Sequence, residues 1–513
     1  MSAVGAELQR PVSSRESDAG AGWGCSAGTY RALMPPKPSP GVYWFSARIL
    51  WETRNDTLAR SPLGDPTNES RARWVEGLSD EDLTIDLSDR LADFSFLLLG
   101  DTGEGDASQY ALVPAIRKIG AGTAFMFICS DVLYPIGNVN EYLDKFYRPY
   151  SAYPGPIYAI PGNHDWYDGL EAFMRHFCGR DPPPGHDPAP LLSRAGIRER
   201  LWRKAALFDQ AQWDEAQKLR AEPAQRQPVP QRSPYFVIDT ERLQLVGIDT
   251  GIKKDLDHDQ GEWLLRVSAR SPKPKILLTG APLYVSGEYQ PLKIDGGAGS
   301  YETVDSIVRA PEHNYVAAIG GDIHNYQRYP VSVDGRRIEY IVSGGGGAFM
   351  HATHTIPRID PKVTSGVTED EFRCYPLRRD SLAVFSRLFD EKLRRVTRGR
   401  QLLQLTPDEA ALVLMKRLGV KPTRPVGARE SPSLRRRAAA AAVLLMPAEH
   451  GFHKWLSPYF DWDTPPFFKN FLRLDVDAEG LKIRCYGVTG CADHEDEPPV
   501  EDEVPTIPLV TRT

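Results

Sequence analysis

Four segments of the chain place acidic, amide and imidazole side chains directly after short apolar runs. In chain order these side chains are Asp101, then Asp131 and Tyr134, then Asn163, His164 and Asp165, then Asp322 and His324. Ligands of open α/β sheets bind beyond the carboxyl ends of the strands, so the four segments are expected to meet at one edge. Carboxylates with a few imidazoles suit a divalent or trivalent metal. Two ions held about 3.5–4 Å apart can clamp the attacking and leaving oxygens of a phosphoryl displacement. The pattern therefore predicts metal-assisted phosphoester hydrolysis.

Each segment also has an ordinary structural interpretation when it is taken alone. An aspartate after a strand is commonly a helix cap or a turn residue. Asn163-His164 could be a turn with a core histidine, and Gly321-Asp322 is a turn dipeptide in its own right. Because all four segments follow apolar runs in order, we interpret them as one site rather than as four unrelated turns.

The elements that must position this site are short buried strands. Apolar runs at 94–100, 124–130 and 156–161 alternate with a helical pattern, which indicates βαβ units with strands buried on both faces. Further runs and hairpins lie at 235–249, 275–279, 315–320, 331–343 and 471–488. Parallel strands joined by helices, together with antiparallel hairpins, predict an α/β fold built as a two-sheet α/β sandwich.

Two stretches look like insertions into this fold. Residues 181–234 are bracketed by proline-rich segments around a helical pattern. Residues 370–460 hold three helix candidates: one with Leu382, Phe385 and Phe389 at helical spacing, one that starts at a Thr406 cap and ends at Gly419, and one over Leu434–Met446. The predicted organisation is a disordered arm at 1–40, an N-terminal extension at 41–93, a core at 94–369 with the insertion 181–234, a helical insertion at 370–460, a closing hairpin at 461–490 and an acidic tail at 491–513.

Composition excludes several classes of protein. The 513 residues carry a net charge of -6, which gives no global reason to expect a nucleic acid partner. The start of the chain lacks a signal-peptide pattern, so the six cysteines are expected to be reduced in a cytoplasmic protein, with Cys485 and Cys491 close enough to bridge only as a minor alternative. No apolar run is long enough to cross a bilayer. A basic stretch within 388–446 gives a weak alternative of peripheral membrane contact.

The ordered blocks resemble the calcineurin-like metallophosphoesterase superfamily. Among its branches they look most like the purple acid phosphatases, because Asp101-Thr102-Gly103 has glycine where most of the superfamily has a histidine ligand and Tyr134 is present to compensate. The strings GNHDWYDGL at 162–170 and SGGGGAF at 343–349 are similar to those of bacterial members. The resemblance covers about 94–355 and 471–490, and it implies the calcineurin-like phosphoesterase fold for a divergent bacterial-type member.

The resemblance also implies a site with one or two metal ions, which could be Fe, Mn or Zn. It assigns to the first ion the ligands Asp101, Asp131, Tyr134 and His324. Asp131 would bridge to a second ion that also takes Asn163. A metal-activated hydroxide would attack the phosphorus of a small phosphorylated substrate. His164 would contact the phosphoryl oxygens or protonate the leaving group, and Asp165 would orient its ring.

Two blocks depart from the family pattern, and both concern the second ion. Gly280 stands at or near the place of the fourth-block histidine, and Asp322 replaces the first histidine of Gly-His-x-His. An aspartate in that place occurs elsewhere in the superfamily and can ligate a metal itself. His351 and His354 follow the glycine run 344–347 and are candidates for a ligand or a phosphate contact, and their alternative is a loop that packs on the sheet edge.

These departures leave a second hypothesis open. The chain could be a non-catalytic descendant that binds a metal or a phosphorylated ligand and acts as an interaction module through its helical insertion. The retained pair His164 and Asp165 favours the enzyme, because a purely structural fold has no need of it.

Overall fold

The computed structural model describes residues 25–36, 42, 44, 46–184, 189–190, 192–393, 404–421, 433–434, 437–438, 440–441 and 464–511. Its strands are β1 (Thr84–Asp86), β2 (Phe94–Leu99), β3 (Phe125–Cys129), β4 (Ile157–Ile160), β5 (Phe236–Asp239), β6 (Gln244–Ile248), β7 (Lys275–Thr279), β8 (Tyr284–Val285), β9 (Glu288–Tyr289), β10 (Lys293–Ala298), β11 (Tyr301–Thr303), β12 (Tyr315–Gly320), β13 (Tyr326–Val333), β14 (Arg336–Ser343), β15 (Arg373–Tyr375), β16 (Lys469–Asp477), β17 (Gly480–Val488) and β18 (Val500–Glu503).

Two sheets contain most of these strands. The first has six strands in the order β18-β17-β16-β2-β3-β4, and the second has eight in the order β1-β5-β6-β7-β12-β14-β13-β15. Strands β2, β3 and β4 run parallel to one another, as do β6, β7, β12 and β14. Parallel strands end at the same side of a sheet, so the segments that follow β2, β3 and β4 come together. A hydrogen bond between Tyr134 and His324 brings the segment after β12 of the second sheet to the same place.

The core between the sheets follows from the side-chain period of the strands. Phe96 and Leu98 of β2 pack against residues of the second sheet such as Ile276 and Ile319, whereas Leu97 and Leu99 face the helices on the outer side. A strand that is buried on both faces is predominantly apolar, which explains the run FSFLLL and the full burial of its last four residues. The prediction of a two-sheet α/β sandwich is confirmed.

The helices cover the outer faces, and several of them lie in the described parts of the two inserted stretches. They are α1 (Ala47–Glu52), α2 (Arg54–Arg60), α3 (Thr67–Val75), α4 (Ala107–Tyr110), α5 (Val113–Ile119), α6 (Arg148–Tyr150), α7 (Glu171–Cys178), α8 (Arg194–Leu201), α9 (Gln210–Leu219), α10 (Pro223–Arg226), α11 (His258–Arg270), α12 (Val304–Arg309), α13 (Arg378–Leu393) and α14 (Pro407–Leu418). Helix α14 has the predicted ends: Thr406 and Glu409 form a capping box, and Gly419 ends the helix in the left-handed conformation. Most of the third predicted helix, Leu434–Met446, lies outside the described residues.

The predicted arm and tail both contain folded residues. Residues 29–33 form a 3-10 helix with Tyr30 fully buried, and the backbone amides of Thr29 and Tyr30 donate to Glu495 of the tail. A disulfide joins Cys25 to Cys491, so the prediction that all cysteines are reduced is wrong for this pair. Neither partner could be paired from spacing, because 466 residues separate them. The disordered-arm prediction is therefore wrong for 25–36, and the rest of that arm lies almost wholly outside the described residues.

The tail also completes the first sheet. Strand β18 pairs antiparallel with β17, and Asp502 accepts hydrogen bonds from Tyr326 and Arg328 of β13. The carboxylate of Asp502 therefore links the two sheets to each other. Among the described residues, no helix combines the length and the apolar character needed to cross a membrane.

Candidate metal centre

A buried cluster around the phenol of Tyr134 joins three of the predicted segments. The Tyr134 Oη atom lies 2.8 Å from Asp101 Oδ1, 2.7 Å from Asp131 Oδ2 and 2.9 Å from His324 Nε2. All four residues are at most 3% exposed. The ends of β2, β3 and β12 thus deliver two carboxylates, a phenol and an imidazole to one point, as the sequence predicts.

The backbone at these strand ends is strained in the same way. Asp101, Ser130 and Asp322 have φ values of 58°, 99° and 64°, in the left-handed region that residues other than glycine seldom adopt. Strain of this kind costs on the order of 1–3 kcal/mol per residue and concentrates at functional sites. Its repetition at three strand ends indicates that the positions of these side chains are fixed for a purpose other than stability.

A backbone carbonyl fixes the tautomer of His324. Its Nδ1 lies 2.6 Å from the carbonyl oxygen of Phe349. Because a carbonyl can only accept, Nδ1 carries the proton and the lone pair of Nε2 points at the cluster. Burial lowers the pKa of His324, which keeps the ring neutral. An outer partner that orients a neutral imidazole in this way is typical of metal ligands.

The cluster holds more acceptor atoms than hydrogens. Tyr134 has one hydrogen for two carboxylate oxygens and the bare Nε2 of His324, and Asp101 Oδ2 is buried with no hydrogen-bond partner among the described residues. Burial and the neighbouring Asp131 and Asp322 raise the pKa of Asp101, and burial also raises that of Asp131. A cation at this point would be attracted to all four groups.

The donor set fits a metal ion only when the phenol is counted. No group of three or more His, Cys, Asp or Glu in the described part of the chain is placed to hold a metal ion by itself. Tyr134 is the residue that links the two carboxylates and the imidazole. Oxygen donors with one imidazole are a set that suits Fe, Mn or Zn.

His164 lies at the mouth of the cluster and is half-buried. Its Nδ1 lies 2.6 Å from the carbonyl oxygen of Pro135, and its ring centre lies 4.6 Å from that of Tyr134. Its backbone amide donates to Asp131 Oδ1 over 2.7 Å, which ties the end of β4 to the end of β3. Nδ1 donates to Pro135 whether or not Nε2 is protonated, so the ring keeps one orientation in both states.

Asp165 does not orient the ring of His164, in contrast to the prediction. Its Oδ2 accepts hydrogen bonds from the backbone amides of Val132 and Gly162, over 3.1 and 3.0 Å. These amides belong to the loops after β3 and β4. Asp165 therefore links the loops that carry Asp131 and His164. The carbonyl of Pro135, and not the carboxylate of Asp165, orients the ring of His164.

The residues that were predicted to hold a second metal ion form a less complete set of ligands. Asn163 is half-buried and donates from Nδ2 to the Tyr167 hydroxyl over 2.7 Å. Asp322 forms an ion pair with Lys254. A Cβ built at Gly280 would lie 2.9 Å from Thr250 Oγ1, 3.2 Å from the Pro161 carbonyl oxygen and 3.9 Å from Gly162 Cα. Gly280 thus adjoins the Asn163 turn, where the fourth-block histidine was expected, but no ligand takes its place there.

The structure separates the two candidate histidines of the loop after β14. The His351 ring stacks on His324 with the centres 4.4 Å apart, and its Nδ1 accepts from the His324 backbone amide. His354 bonds to Ser381 and packs against Phe385 of α13, so it supports the helical insertion and not the cluster. The glycine run itself approaches Asp101 closely: a Cβ at Gly344 would lie 2.5 Å from Asp101 Oδ2. A side chain has no room there.

The family model for calcineurin-like phosphoesterases matches residues 94–326, the stretch that runs from β2 through the start of β13. This stretch belongs to the calcineurin-like phosphoesterase family. It contains every residue of the Tyr134 cluster. A search of curated protein sequences gives no significant match.

The chain also has a distant similarity to several solved structures. One is GAP50, the anchor in the inner membrane complex of Plasmodium, at 9% identity and a TM-score of 0.37, with 82% of this chain and 90% of that chain covered. Another is purple acid phosphatase PPD1 from yellow lupin (Lupinus luteus) seeds, at 11% identity and a TM-score of 0.36, with 81% of this chain and 54% of that chain covered. A third is a protein of Thermus thermophilus, TT1561, at 12% identity and a TM-score of 0.25, with 49% and 90% covered.

Three parts of this candidate site were not expected from the sequence. Trp44, far upstream of the first block, contacts the rings of Tyr134, His164 and Phe349 edge-on at centre distances of 5.9, 5.6 and 5.2 Å. The acceptor for His164 is a backbone carbonyl, which no side-chain pattern can mark. Lys254 comes from a loop between family blocks. A turn signal at Thr250-Gly251 marks that loop, but no feature of the sequence indicates its partner.

A buried carboxyl near the site predicts how stability depends on pH. Burial raises the pKa of Asp168 to about 8. An unfolded chain releases this proton at about pH 4, so between about pH 4 and pH 8 stability falls as pH rises, by at most about 1.4 kcal/mol per pH unit. Asp168→Asn removes the titration. Its free energy of unfolding relative to the wild type, measured by urea denaturation, should rise steadily from pH 5 to pH 8. A difference that does not change with pH would contradict this.

Proposed function

We propose that the chain is a metal-dependent phosphoester hydrolase. The observation that carries this proposal is the Tyr134 cluster, in which two buried carboxylates, a phenol and an oriented neutral imidazole gather with too few hydrogens to satisfy one another. The cluster lies inside the stretch that belongs to the calcineurin-like phosphoesterase family. Family membership and the donor set support the same class of reaction.

In this proposal four residues hold the first ion: Asp101, Asp131, Tyr134 and His324. An ion bound there supplies Lewis acidity and brings the pKa of bound water toward neutrality. The chain keeps these ligands in place through outer contacts. Phe349 and His351 fix the imidazole of His324, and the backbone amide of His164 holds Asp131. These contacts mean that little reorganisation is needed when the ion binds.

His164 is the residue that handles the proton. Its Nε2 has no hydrogen-bond partner among the described residues, and the half-buried ring lies beside Tyr134. When protonated, Nε2 can donate to a phosphoryl oxygen and then give its proton to the oxygen of the leaving group. The Pro135 carbonyl keeps the ring in place throughout, because its hydrogen bond to Nδ1 is present in both protonation states.

The substrate of this proposed reaction is a small phosphorylated molecule. Loops around a metal centre set specificity in such folds. Trp44 forms one wall of the mouth, and the inserted stretches 181–234 and 370–460 are the other candidates for selecting the alcohol part of the substrate. The cytoplasmic location stays a prediction.

The purple acid phosphatase-like character of the site rests on Tyr134, and an optical measurement tests it. If the phenolate ligates ferric iron, the iron-loaded protein should absorb in the visible through phenolate-to-iron charge transfer. Tyr134→Phe removes the phenolate oxygen and should abolish this band, whereas Tyr142→Phe, a similarly buried tyrosine outside the cluster, should keep it. A colourless wild-type protein with bound ferric iron would contradict ligation by Tyr134.

Turnover measurements test the proposed function itself. The full chain is depleted of metal, reloaded with Mn, Zn or Fe, and assayed on a chromogenic phosphomonoester and a phosphodiester. Activity that depends on metal is the expected result. Metal binding without turnover on either ester would favour the alternative, a descendant of the fold that binds a metal or a phosphorylated ligand as an interaction module.

A further inference from the structure

The second cation position of the site has one side-chain ligand fewer than the family pattern would provide. Gly280 carries no side chain, and the nearest atoms to a Cβ built there are Thr250 Oγ1, the Pro161 carbonyl oxygen and Gly162 Cα. Of the other predicted groups near this position, Asn163 is engaged with Tyr167. Three groups therefore remain that could face a second cation: Asp131, the amide oxygen of Asn163, and Asp322.

Asp322 is already matched with a positive charge. The Lys254 ammonium group donates to Asp322 Oδ2, and the two side chains are only 23% and 12% exposed. Asp322 lies two residues before His324, and its charge acts on the pKa of both Asp101 and Asp131. An ammonium group held at this carboxylate thus lies at the side of the cluster where the second cation is expected.

The loop that carries Lys254 is held firmly at both ends. The guanidinium of Arg71 donates to Asp249 before the loop and to Asp257 after it. Inside the loop, the Asp255 amide donates to the Thr250 carbonyl over 3.2 Å, and Lys254 itself has a φ of 63°. Both Lys254 and Asp322 have backbones in the left-handed region, which costs free energy. A surface ion pair contributes too little to stability to offset that cost. The pair is therefore not explained as a chance surface contact.

We propose that the Lys254 ammonium group takes the place of the second metal ion, so that the site binds one metal ion per chain. This inference rests on the proposed function for the existence of the first metal site. Lys254 then supplies a fixed positive charge beside the first ion, where it can contact a phosphoryl oxygen of the substrate. This proposal explains both departures from the family pattern. A site without a second ion does not need a histidine at position 280, and the aspartate at position 322 binds the ammonium group.

Metal stoichiometry tests this directly. The metal-depleted full chain is titrated with Mn²⁺ by calorimetry, and the bound ions are examined by electron paramagnetic resonance, which distinguishes an isolated Mn²⁺ ion from a coupled pair. The wild type should bind one ion with an isolated signal. Lys254→Met should remove the ammonium group from Asp322 and bind two, with a coupled signal. Lys254→Met combined with Asp322→Ala should return to one.

Lys253→Met is the matched control, because Lys253 is the exposed neighbour of Lys254. It should behave as the wild type does, and circular dichroism checks that all variants are folded. Two ions with a coupled signal in the wild type would overturn the inference even if Lys254→Met did not fold, and so would one ion in a folded Lys254→Met. No bound ion in any variant would instead overturn the proposed function on which the inference rests.

Discussion

Asp131→Asn is expected to reduce kcat/KM for phosphoester hydrolysis by about 10³-fold or more, because a metal contributes several kcal/mol to such a reaction and each 1.36 kcal/mol is a factor of ten. The substitution keeps the shape of the side chain and removes its charge. Asp131 is the carboxylate that contacts both Tyr134 and the backbone of His164. Its replacement therefore weakens the metal position and the contact between the ends of β3 and β4 at once.

The measurement is steady-state turnover of a chromogenic ester together with the metal content of the purified variant. Asp334→Asn makes the same chemical change at an exposed hairpin turn and should leave both quantities unchanged. Equal turnover by Asp131→Asn and the wild type would mean that hydrolysis occurs elsewhere or comes from a contaminant.

Arg71→Met is expected to lower the free energy of unfolding by about 3–5 kcal/mol, the usual cost of breaking a buried ion pair from one side. Arg71 of α3 has a side chain only 2% exposed, and its Nε donates to the buried Asp249 over 2.7 Å. Trp166 Nε1 donates to the same carboxylate over 3.0 Å. Without the guanidinium, Asp249 stays buried with the indole of Trp166 as its remaining side-chain donor among the described contacts.

Urea denaturation measures this change, and Arg48→Met is the control. The Arg48 side chain is 80% exposed and pairs with Glu52, a surface pair worth about 0–1 kcal/mol at most. A loss below about 1 kcal/mol in Arg71→Met would show that the pair is not needed for folding. Arg71 also anchors both ends of the loop that carries Lys254. The folded variant should therefore bind two metal ions per chain, as Lys254→Met should.

Much of the fold is predictable from the sequence because its signals are local. Strands such as β2 and β3 are predominantly apolar, since both of their faces are buried, and the ends of α14 follow from Thr406, Glu409 and Gly419. The meeting of Asp101 and Asp131 follows from the same rule, since the ends of neighbouring parallel strands share an edge. Local sequence patterns predict the structure wherever the position of a residue is set by the strand or helix that carries it.

The rest depends on contacts between distant parts of the chain. Cys25 pairs with Cys491, and Glu495 caps the backbone of Tyr30, although nothing near either residue indicates its partner. The family resemblance implies that Asp165 orients the imidazole of His164. Its geometry directs the carboxylate to backbone amides instead. Lys254 lies outside the family's blocks, so only the folded chain brings it to Asp322.

The central claim is that the Tyr134 cluster holds a catalytic metal ion, and anomalous diffraction from Mn-loaded crystals tests it most directly. The expected result is one strong anomalous peak among the side chains of Asp101, Asp131, Tyr134 and His324, with the Lys254 ammonium group still beside Asp322. A fully loaded crystal without a peak at this cluster, or with its ions bound elsewhere, would contradict the account.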